Sequence, residues 1–492
     1  MSQPQTAKQP NLLFIMPDQL RADFLSCYGA TFINTPHIDS IAEGGVRYER
    51  AYSASPICVP ARASLLTGLN AIKNGVTDNG QWLSPDLAAS GIETWPQTLS
   101  KQGYYTAAIG KMHFYPWDIN LGFQYRVAAE DKRWLEIRDD YYHFLKEGGY
   151  RKLHGNEHPG YHENKGAIIN KIPWGYSVDR FVGQETCRFI RNYGDETPFA
   201  VMVGFPGPHC PYDPNAEFLE GFDPADMPDS IPAVEGDTPR LRQGNIEGNR
   251  QPWNGVDYTE FTEAHKKKIR AHYAGLVKQI DYEMGQILDA LHEKELLDNT
   301  IIIFSSDHGD YLGDHDFIGK GTFFESSIHV PLIVRLPWTD QSKTCADIVE
   351  LGDVTATMLH FGGCEVPGYM DSIPLPELDI PRKNQRGRVI GMVRGGWMIY
   401  DGQWKLCKYA SGEVLLFNLS EDPNEQHNLM KEGRYQEEYT RLDAELTREI
   451  MNSMSLSHES KRVYSKTTLA GDPTFGKEDW QRLYPKNIND VD

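Results

Sequence analysis

Residues 55–68 read Ser-Pro-Ile-Cys-Val-Pro-Ala-Arg-Ala-Ser-Leu-Leu-Thr-Gly and form the most specific pattern in this chain of 492 residues. Pro60 suits the first turn of a helix that residues 61–67 would continue, and Gly68 suits its end. Cys58 then lies at a helix N-terminus, where free N–H groups favour an anion and lower the pKa of a thiol. Arg62 follows one turn later and can reach the same place. The alternative is a small buried cysteine before a helix, which is common.

Four short apolar segments around this motif predict buried strands at residues 12–16, 104–109, 199–205 and 300–305. Helical patterns alternate with them, and the clearest helix, at residues 263–295, places apolar side chains at steps of three and four. This alternation predicts an α/β fold with a large, mostly parallel sheet sandwiched by helices.

Each of these four strands runs into polar residues, which in chain order are Asp18 and Gln19, Lys111 and His113, His209, and Asp307 and His308. Ligands of open α/β sheets bind at the carboxyl ends of the strands, so we expect these side chains to share one crevice. Asp18, Gln19, Asp307 and His308 together suit a divalent cation. The oxygen ligands favour calcium or magnesium, and the imidazole keeps manganese open.

The composition excludes several classes of partner. Lys and Arg number 49 against 69 Asp and Glu, so the net charge of −20 argues against nucleic acid or an anionic membrane surface. No apolar run is long enough to span a bilayer, and the N-terminal residues do not resemble a secretory signal. Seven scattered cysteines without a C-x-x-C pair suit reduced thiols. We therefore expect a cytoplasmic protein.

The pattern changes after a proline-rich stretch at residues 366–381. Short strands are expected at 389–393, 397–400, 404–409 and 414–419, then a charged helix near 435–451 and a polar tail. We predict a catalytic domain at 1–381 and a small C-terminal α+β domain with an antiparallel sheet and tail at 382–492. Residues 114–180 and 213–258 lack a clear period and predict long loops that shape a substrate pocket.

At this point the sequence resembles the type I sulfatases of the alkaline phosphatase superfamily. Cys58-x-Pro60-x-Arg62 with the following Leu-Thr-Gly is similar to their signature, and further motifs occur in the family's order. These are Asp18-Gln19, Gly110-Lys111-Met112-His113, Pro208-His209, Asp307-His308-Gly309 with Lys320, and the C-terminal run 404–429. The Gln19 and His308 versions resemble a branch that includes choline sulfatase-like enzymes and phosphonate monoester hydrolases.

The resemblance implies a formylglycine-dependent hydrolase of small-molecule sulfate esters. Cys58 would be oxidised by a separate formylglycine-generating enzyme, and its hydrated aldehyde would attack sulfur. Asp18, Gln19, Cys58, Asp307 and His308 would hold one divalent metal, most simply calcium, with manganese or magnesium as alternatives. Arg62 and Lys111 would stabilise the charge of the transition state, and His209 with Lys320 would protonate or stabilise the leaving oxygen. His113 would take a proton so that sulfate is released, and Asn79 would contact the substrate.

Several alternatives stay open at this level. A phosphonate monoester or phosphodiester hydrolase could use the same residues, although retention of Lys111 and His113 favours a sulfate ester. The leaving group can be an aryl, sugar or small zwitterionic alcohol. Asn79 can equally be a turn residue, and Trp117, Asp118, Trp174 and Tyr176 can line the pocket or pack in the core. A homo-oligomer is open, as is a sulfatase-like protein without turnover, although no expected catalytic residue is missing.

Overall fold

The computed structural model describes residues 9–84, 87–194, 197–381 and 384–457. Eight strands of this part form one sheet in the order β4-β3-β5-β1-β6-β7-β2-β8. They are β1 (Asn11–Ile15), β2 (Gly45–Tyr52), β3 (Tyr105–Gly110), β4 (Tyr125–Ala128), β5 (Phe199–Gly204), β6 (Thr300–Ser305), β7 (Leu332–Arg335) and β8 (Lys343–Glu350). Only β7 runs antiparallel to its neighbours β6 and β2 in this sheet, so the expected mostly parallel sheet is confirmed.

The helices of the described residues are α1 (Pro36–Glu43), α2 (Cys58–Thr67), α3 (Ala71–Asn74), α4 (Trp95–Lys101), α5 (Asp140–Glu147), α6 (Val178–Asn192), α7 (Pro239–Asn249), α8 (Glu263–Glu293), α9 (Glu325–Ile328), α10 (Asp353–Phe361) and α11 (Gln436–Ser457). The four predicted strands and the long helix α8 are found within two residues of their expected bounds. The interpretation of 213–258 as loop missed α7, and that of 114–180 missed β4 and α5, because these short elements carry no strong period.

Two apolar cores lie on opposite faces of the sheet, as a period of two along each strand requires. On β1, Leu13 and Ile15 belong to the core that α6 and α8 cover. Leu12 and Phe14 belong to the other core, which α2, α4 and α10 cover. Helices on both faces leave the strand ends as the accessible edge for ligands.

A second, four-stranded antiparallel sheet follows in the order β12-β11-β10-β9. Its strands are β9 (Val389–Val393), β10 (Gly396–Tyr400), β11 (Trp404–Tyr409) and β12 (Val414–Asn418), close to the predicted bounds. One face packs against α11, and the other packs against Phe323 and Phe324 of the larger part. The buried Lys405 of β11 pairs with Glu325 and Glu425 at this junction. The boundary between 381 and 382 stays a prediction, since 382 and 383, like most of the tail, lie outside the described residues.

In the part of the chain that the structure describes, no helix combines the length and the apolar character that crossing a bilayer requires.

Candidate active site and metal centre

The polar residues that follow four central strands meet at one edge of the large sheet. Asp18 follows β1, Lys111 follows β3, His209 follows β5, and Asp307 with His308 follows β6. Two glycines make the approach between β3 and β5 close enough: a Cβ on Gly110 would lie 2.1 Å from the Gly204 carbonyl oxygen, and one on Gly204 would lie 2.0 Å from that of Lys111. The crevice expected from the sequence is therefore present.

Cys58 is the first residue of α2 and is buried. Ile57 before it is extended and gives the helix no side-chain cap. Asn79 supplies one instead, because its Oδ1 accepts a 3.0 Å hydrogen bond from the Val59 N–H. Gly68 ends the helix in the left-handed conformation with φ of 66°. Both readings of Asn79 thus find support in geometry, since it caps the helix and also borders the cavity beside Cys58.

Four of the five proposed metal ligands converge. Ligand atoms of Asp18, Cys58, Asp307 and His308 all lie within 4.8 Å of one another, and the residues are buried. His308 Nδ1 donates to the Gly309 carbonyl at 2.9 Å, which leaves Nε2 as the free ring nitrogen facing Cys58 Sγ at 3.3 Å. A ring held by its other nitrogen is the usual arrangement of a ligating histidine.

The electrostatics of the two carboxylates also suit a cation. Burial and the Asp18 charge raise the pKa of Asp307, although His308 and Arg62 oppose the shift. A divalent ion between two buried carboxylates would offset this cost. Two carboxylates, one imidazole nitrogen and residue 58 therefore fit a small divalent cation.

Gln19 lies in the same site with a different set of contacts. Its backbone N–H donates to Asp307 Oδ1 at 3.0 Å, and its side-chain Oε1 accepts from Lys320 Nζ at 2.6 Å. The amide nitrogen donates to Asp310 Oδ2. The amide oxygen is thus directed to Lys320 in this structure, and ligation of a metal by Gln19 stays a prediction.

Arg62 and Lys111 place two fully buried cations around Cys58. Arg62 donates through Nη1 to the Lys111 carbonyl at 2.6 Å, while its Nη2 has no hydrogen-bond partner among the described residues. Lys111 pairs with Asp18 and lies 3.7 Å from Asp131 Oδ2. An unpartnered buried donor beside Cys58 is what an oxygen of a bound oxyanion would satisfy.

These charges control the ionisation of residue 58 and of Asp18. Burial raises the pKa of the Cys58 thiol, but Lys320, Lys111 and His308 together lower it well below its ordinary range. Burial and Cys58 likewise raise the pKa of Asp18, yet Lys111, His209 and Lys320 outweigh them and lower it. The site is therefore built to hold negative charge at position 58.

His209 and Lys320 form a bonded pair. His209 Nδ1 donates to the Cys210 carbonyl at 2.7 Å, and its Nε2 lies 2.6 Å from Lys320 Nζ. Burial, with the charges of Lys320 and Arg133, lowers the pKa of His209 to about 3. His209 is thus neutral at ordinary pH and accepts at Nε2, so the proton that faces the cavity belongs to Lys320.

His113 has a positive φ of 56° and also borders the cavity. Its backbone N–H donates to Glu130 Oε2 at 3.0 Å, and Trp134 packs edge-on against the ring at 5.0 Å. Its Nδ1 is buried without a hydrogen-bond partner among the described residues. Such a group is available to a ligand.

A cavity of about 510 Å³ opens next to Cys58, and its walls include Asn79, His113, His209 and Lys320. The outer walls come from residues that sequence reasoning did not single out: Asp131, Arg133, Trp134, Tyr212, Asn245, Asn249, Trp253 and Tyr258. All of them lie in or next to segments 114–180 and 213–258, which the sequence predicts to be pocket loops. That prediction is the signal by which these residues could have been found. Trp174 and Tyr176 pack on Phe218 and Phe144 instead.

Comparisons with known proteins agree with this geometry. A family model described as Sulfatase matches residues 10–364, and one described as N-sulphoglucosamine sulphohydrolase, C-terminal, matches 313–452. The chain is 30% identical to an arylsulfatase of Clostridium perfringens, over 90% of this chain and 94% of that protein. It is 29% identical to a choline-sulfatase of Rhizobium meliloti, over 87% and 84%. The solved phosphonate monoester hydrolase of Agrobacterium radiobacter has the same fold, with a TM-score of 0.74 at 23% identity over 94% of this chain and 99% of that one.

Proposed function

This chain belongs to the sulfatase family and hydrolyses sulfate esters, and from that premise we propose that a formylglycine made from Cys58 is its nucleophile. The observation that carries the proposal is the position of Cys58. Its sulfur lies 3.3 Å from His308 Nε2 and 3.7 Å from Asp18 Oδ1, at a helix N-terminus beside the cavity.

We propose Asp18, Asp307, His308 and the modified residue 58 as the holders of one divalent ion. The two carboxylates favour calcium, and the imidazole allows manganese or magnesium. When bound, the ion would supply positive charge next to the transferring group.

The chain's own residues then divide the work. The Arg62 and Lys111 cations hold the sulfate oxygens. Arg62 Nη2 has no hydrogen-bond partner in the described part of the chain, although Asp18 Oδ2 lies 3.7 Å away. One hydroxyl of the hydrated aldehyde loses its proton to solvent, its oxyanion attacks sulfur, and the bond between sulfur and the alcohol oxygen breaks. Fixed cations in a buried site stabilise the charge of this transition state without reorganisation.

Lys320 donates the proton to the departing alcohol oxygen. It is the better donor because His209 carries its only proton on Nδ1, which is bonded to the Cys210 carbonyl. His209 Nε2 and Gln19 Oε1 hold the ammonium group in place at 2.6 Å each. His209 therefore orients Lys320 and does not act as the acid itself.

His113 removes a proton from the second hydroxyl of residue 58, so that sulfate leaves and the aldehyde returns. The base proposed for this step is its Nδ1, which has no hydrogen-bond partner among the residues that the structure describes. A thiol or serine hydroxyl has no second hydroxyl to expel the group, which is why the modification matters.

We further propose that a formylglycine-generating enzyme matures the chain. We also propose that the mature protein works in the cytoplasm and can form a homo-oligomer. All seven cysteines lie in the described residues and none of them forms a disulfide, which suits a reducing compartment. The net charge of −20 argues against nucleic acid or a membrane surface as partner.

Mass spectrometry and a substrate panel test this function together. In the tryptic peptide spanning residues 51–62, conversion of Cys58 removes H2S and adds one oxygen. Active material with an unmodified thiol would contradict the proposed nucleophile. The metal-loaded enzyme should turn over a sulfate monoester faster than a phosphonate monoester or a phosphodiester, and the reverse order would favour the alternative activity.

A further inference from the structure

The outer wall of the cavity contains one ion pair that the reaction does not use. Arg133 donates through Nε to Asp131 Oδ1 at 2.9 Å and through Nη2 to Oδ2 at 2.5 Å. The Arg133 backbone N–H also donates to Asp131 Oδ1 at 3.0 Å. Both side chains are nine-tenths or more buried, and both border the cavity. This two-bonded pair places opposite charges at the wall that cancel each other.

Trp253 covers the guanidinium of this pair. The Arg133 Cζ atom lies 4.8 Å from the centre of its ring, and Trp253 also borders the cavity. The remaining Nη1 of Arg133 donates to the Cys210 sulfur at 3.5 Å. A charged substituent arriving here would lose its water and meet a pair that is already satisfied, which is unfavourable for either sign of charge.

The other polar side chains of this wall also have hydrogen-bond partners within the protein. Asn245 bonds both the N–H and the carbonyl of Ile318, and Asn249 bonds the Asn245 carbonyl and Asn254. The Tyr212 and Tyr258 hydroxyls donate to Asp310 and to the Lys165 carbonyl. Beside these bonded groups, the wall presents the rings of Trp134 and Trp253 to the cavity.

We propose that the Asp131–Arg133 pair is a specificity-determining element that restricts the leaving group to an uncharged cyclic alcohol whose ring lies against Trp134 and Trp253. This inference rests on the proposed function, since it concerns the alcohol part of the same substrate. Removing one member of the pair leaves the other charge unpaired at the wall, so each variant should favour a leaving group of the opposite sign.

Three aryl sulfates of similar size test the proposal: the 4-nitrophenyl, 4-carboxyphenyl and 4-(trimethylammonio)phenyl esters. For each ester, kcat/KM of a variant is divided by that of the unaltered enzyme, which cancels the intrinsic reactivity of the ester. For Asp131→Asn, we expect the ratio for the anionic ester to exceed that for the neutral one about tenfold. For Arg133→Met, the ratio for the cationic ester should exceed that for the neutral ester to a similar extent.

Comparing esters within one variant makes the result independent of how much enzyme is folded or of any change at Lys111, because all three esters carry the same sulfate. Arg151→Met and Glu157→Gln make the same charge changes in an ion pair that does not border the cavity, and should alter the three ratios equally.

The proposal would be overturned if, in both variants, the kcat/KM ratios of the three esters stayed within about twofold of one another. It would also be overturned if the unaltered enzyme had a higher kcat/KM for either charged ester than for the neutral one. Turnover of none of the esters by the mature, metal-loaded enzyme would overturn the cyclic leaving group and count against the proposed function as well. Equal ratios with normal turnover overturn only the role of the pair.

Discussion

Arg62 Nε donates a 2.9 Å hydrogen bond to Asp307 Oδ2, although the two residues lie 245 positions apart in the chain. The bond joins the second turn of α2 to the end of β6, and both side chains are fully buried. It fixes the cysteine-bearing helix against one carboxylate of the candidate metal centre. Arg62 thus links the helix of the proposed nucleophile to the proposed metal ligands.

Replacing Arg62 tests this link. Arg62→Lys keeps the charge but loses the planar fork, so we expect kcat to fall about 10²–10³-fold. The measurement is steady-state kinetics on a sulfate monoester, with circular dichroism to check the fold. The control is Arg50→Lys, which replaces a half-buried arginine of β2 that donates to the Tyr400 hydroxyl of β10. This variant should keep most of the activity. A change confined to KM would argue that Arg62 binds the ground state and the transition state equally.

Cys58→Ala should abolish turnover, and Cys58→Ser should abolish it as well unless serine is also matured to the aldehyde. The physical reason is that neither side chain provides a carbon with two hydroxyls. Cys187→Ala, at a buried cysteine of α6, is the matched control and should remain active. Peptide mass spectrometry read beside the kinetics ties any residual rate to residual aldehyde.

Removing the metal should abolish activity and lower thermal stability. Binding at a hundred times the dissociation constant adds about 2.7 kcal/mol to folding, so calcium should raise the Tm of chelator-treated protein. Asp307→Asn should lose most of this rise, whereas Asp229→Asn, an exposed acid paired with Lys267, should keep it. An equal rise of Tm in the Asp307 variant would remove that residue from the ligand set.

His113→Ala should slow release of sulfate more than loss of the alcohol. We expect one equivalent of alcohol per active site in a rapid burst and a steady-state rate about 10²–10⁴-fold lower. Quenched-flow measurement and mass spectrometry of the sulfated enzyme detect the burst. Equal loss of the burst and of the steady-state rate would assign His113 to an earlier step.

Stability should fall as the pH rises through about 7, because of Glu283 in α8. Burial raises its pKa from 4.5 to about 7, although Arg180 of α6 opposes the shift from 2.9 Å. The folded state therefore binds more protons between these values, so the stabilisation is complete below pH 4.5 and is lost as pH rises through 7. The difference is roughly 3 kcal/mol, at about 1.4 kcal/mol per pH unit.

Glu283→Gln should flatten this slope, as measured by urea unfolding at pH 5 and pH 8. Burial also raises the pKa of Asp179 to about 6 and that of Glu350 and of Glu425 to about 7, so these groups should leave a slope in the same direction. Glu293→Gln removes the exposed ion pair with Arg191 between the same two helices and is the control. An unchanged slope in the Glu283 variant would show that this carboxyl is ionised in the folded state.

The sequence predicted those features that a local pattern specifies. Short continuous apolar runs predicted the central strands, apolar steps of three and four predicted α8, and Pro60 and Gly68 marked the helix that Cys58 begins. Short elements such as α7 and β4 were missed because a few residues carry too little period to distinguish them from loops.

The sequence alone predicted the candidate catalytic and metal-binding residues, because candidate ligands and a cysteine at a helix start are properties of residue type and local order. Tertiary structure decided their relations: that Gln19 faces Lys320, that His209 is neutral, and that Asp131 and Arg133 close the cavity wall. The physical reason is that hydrogen-bond partners, burial and net charge at a point depend on segments up to hundreds of residues apart, and only packing brings these together.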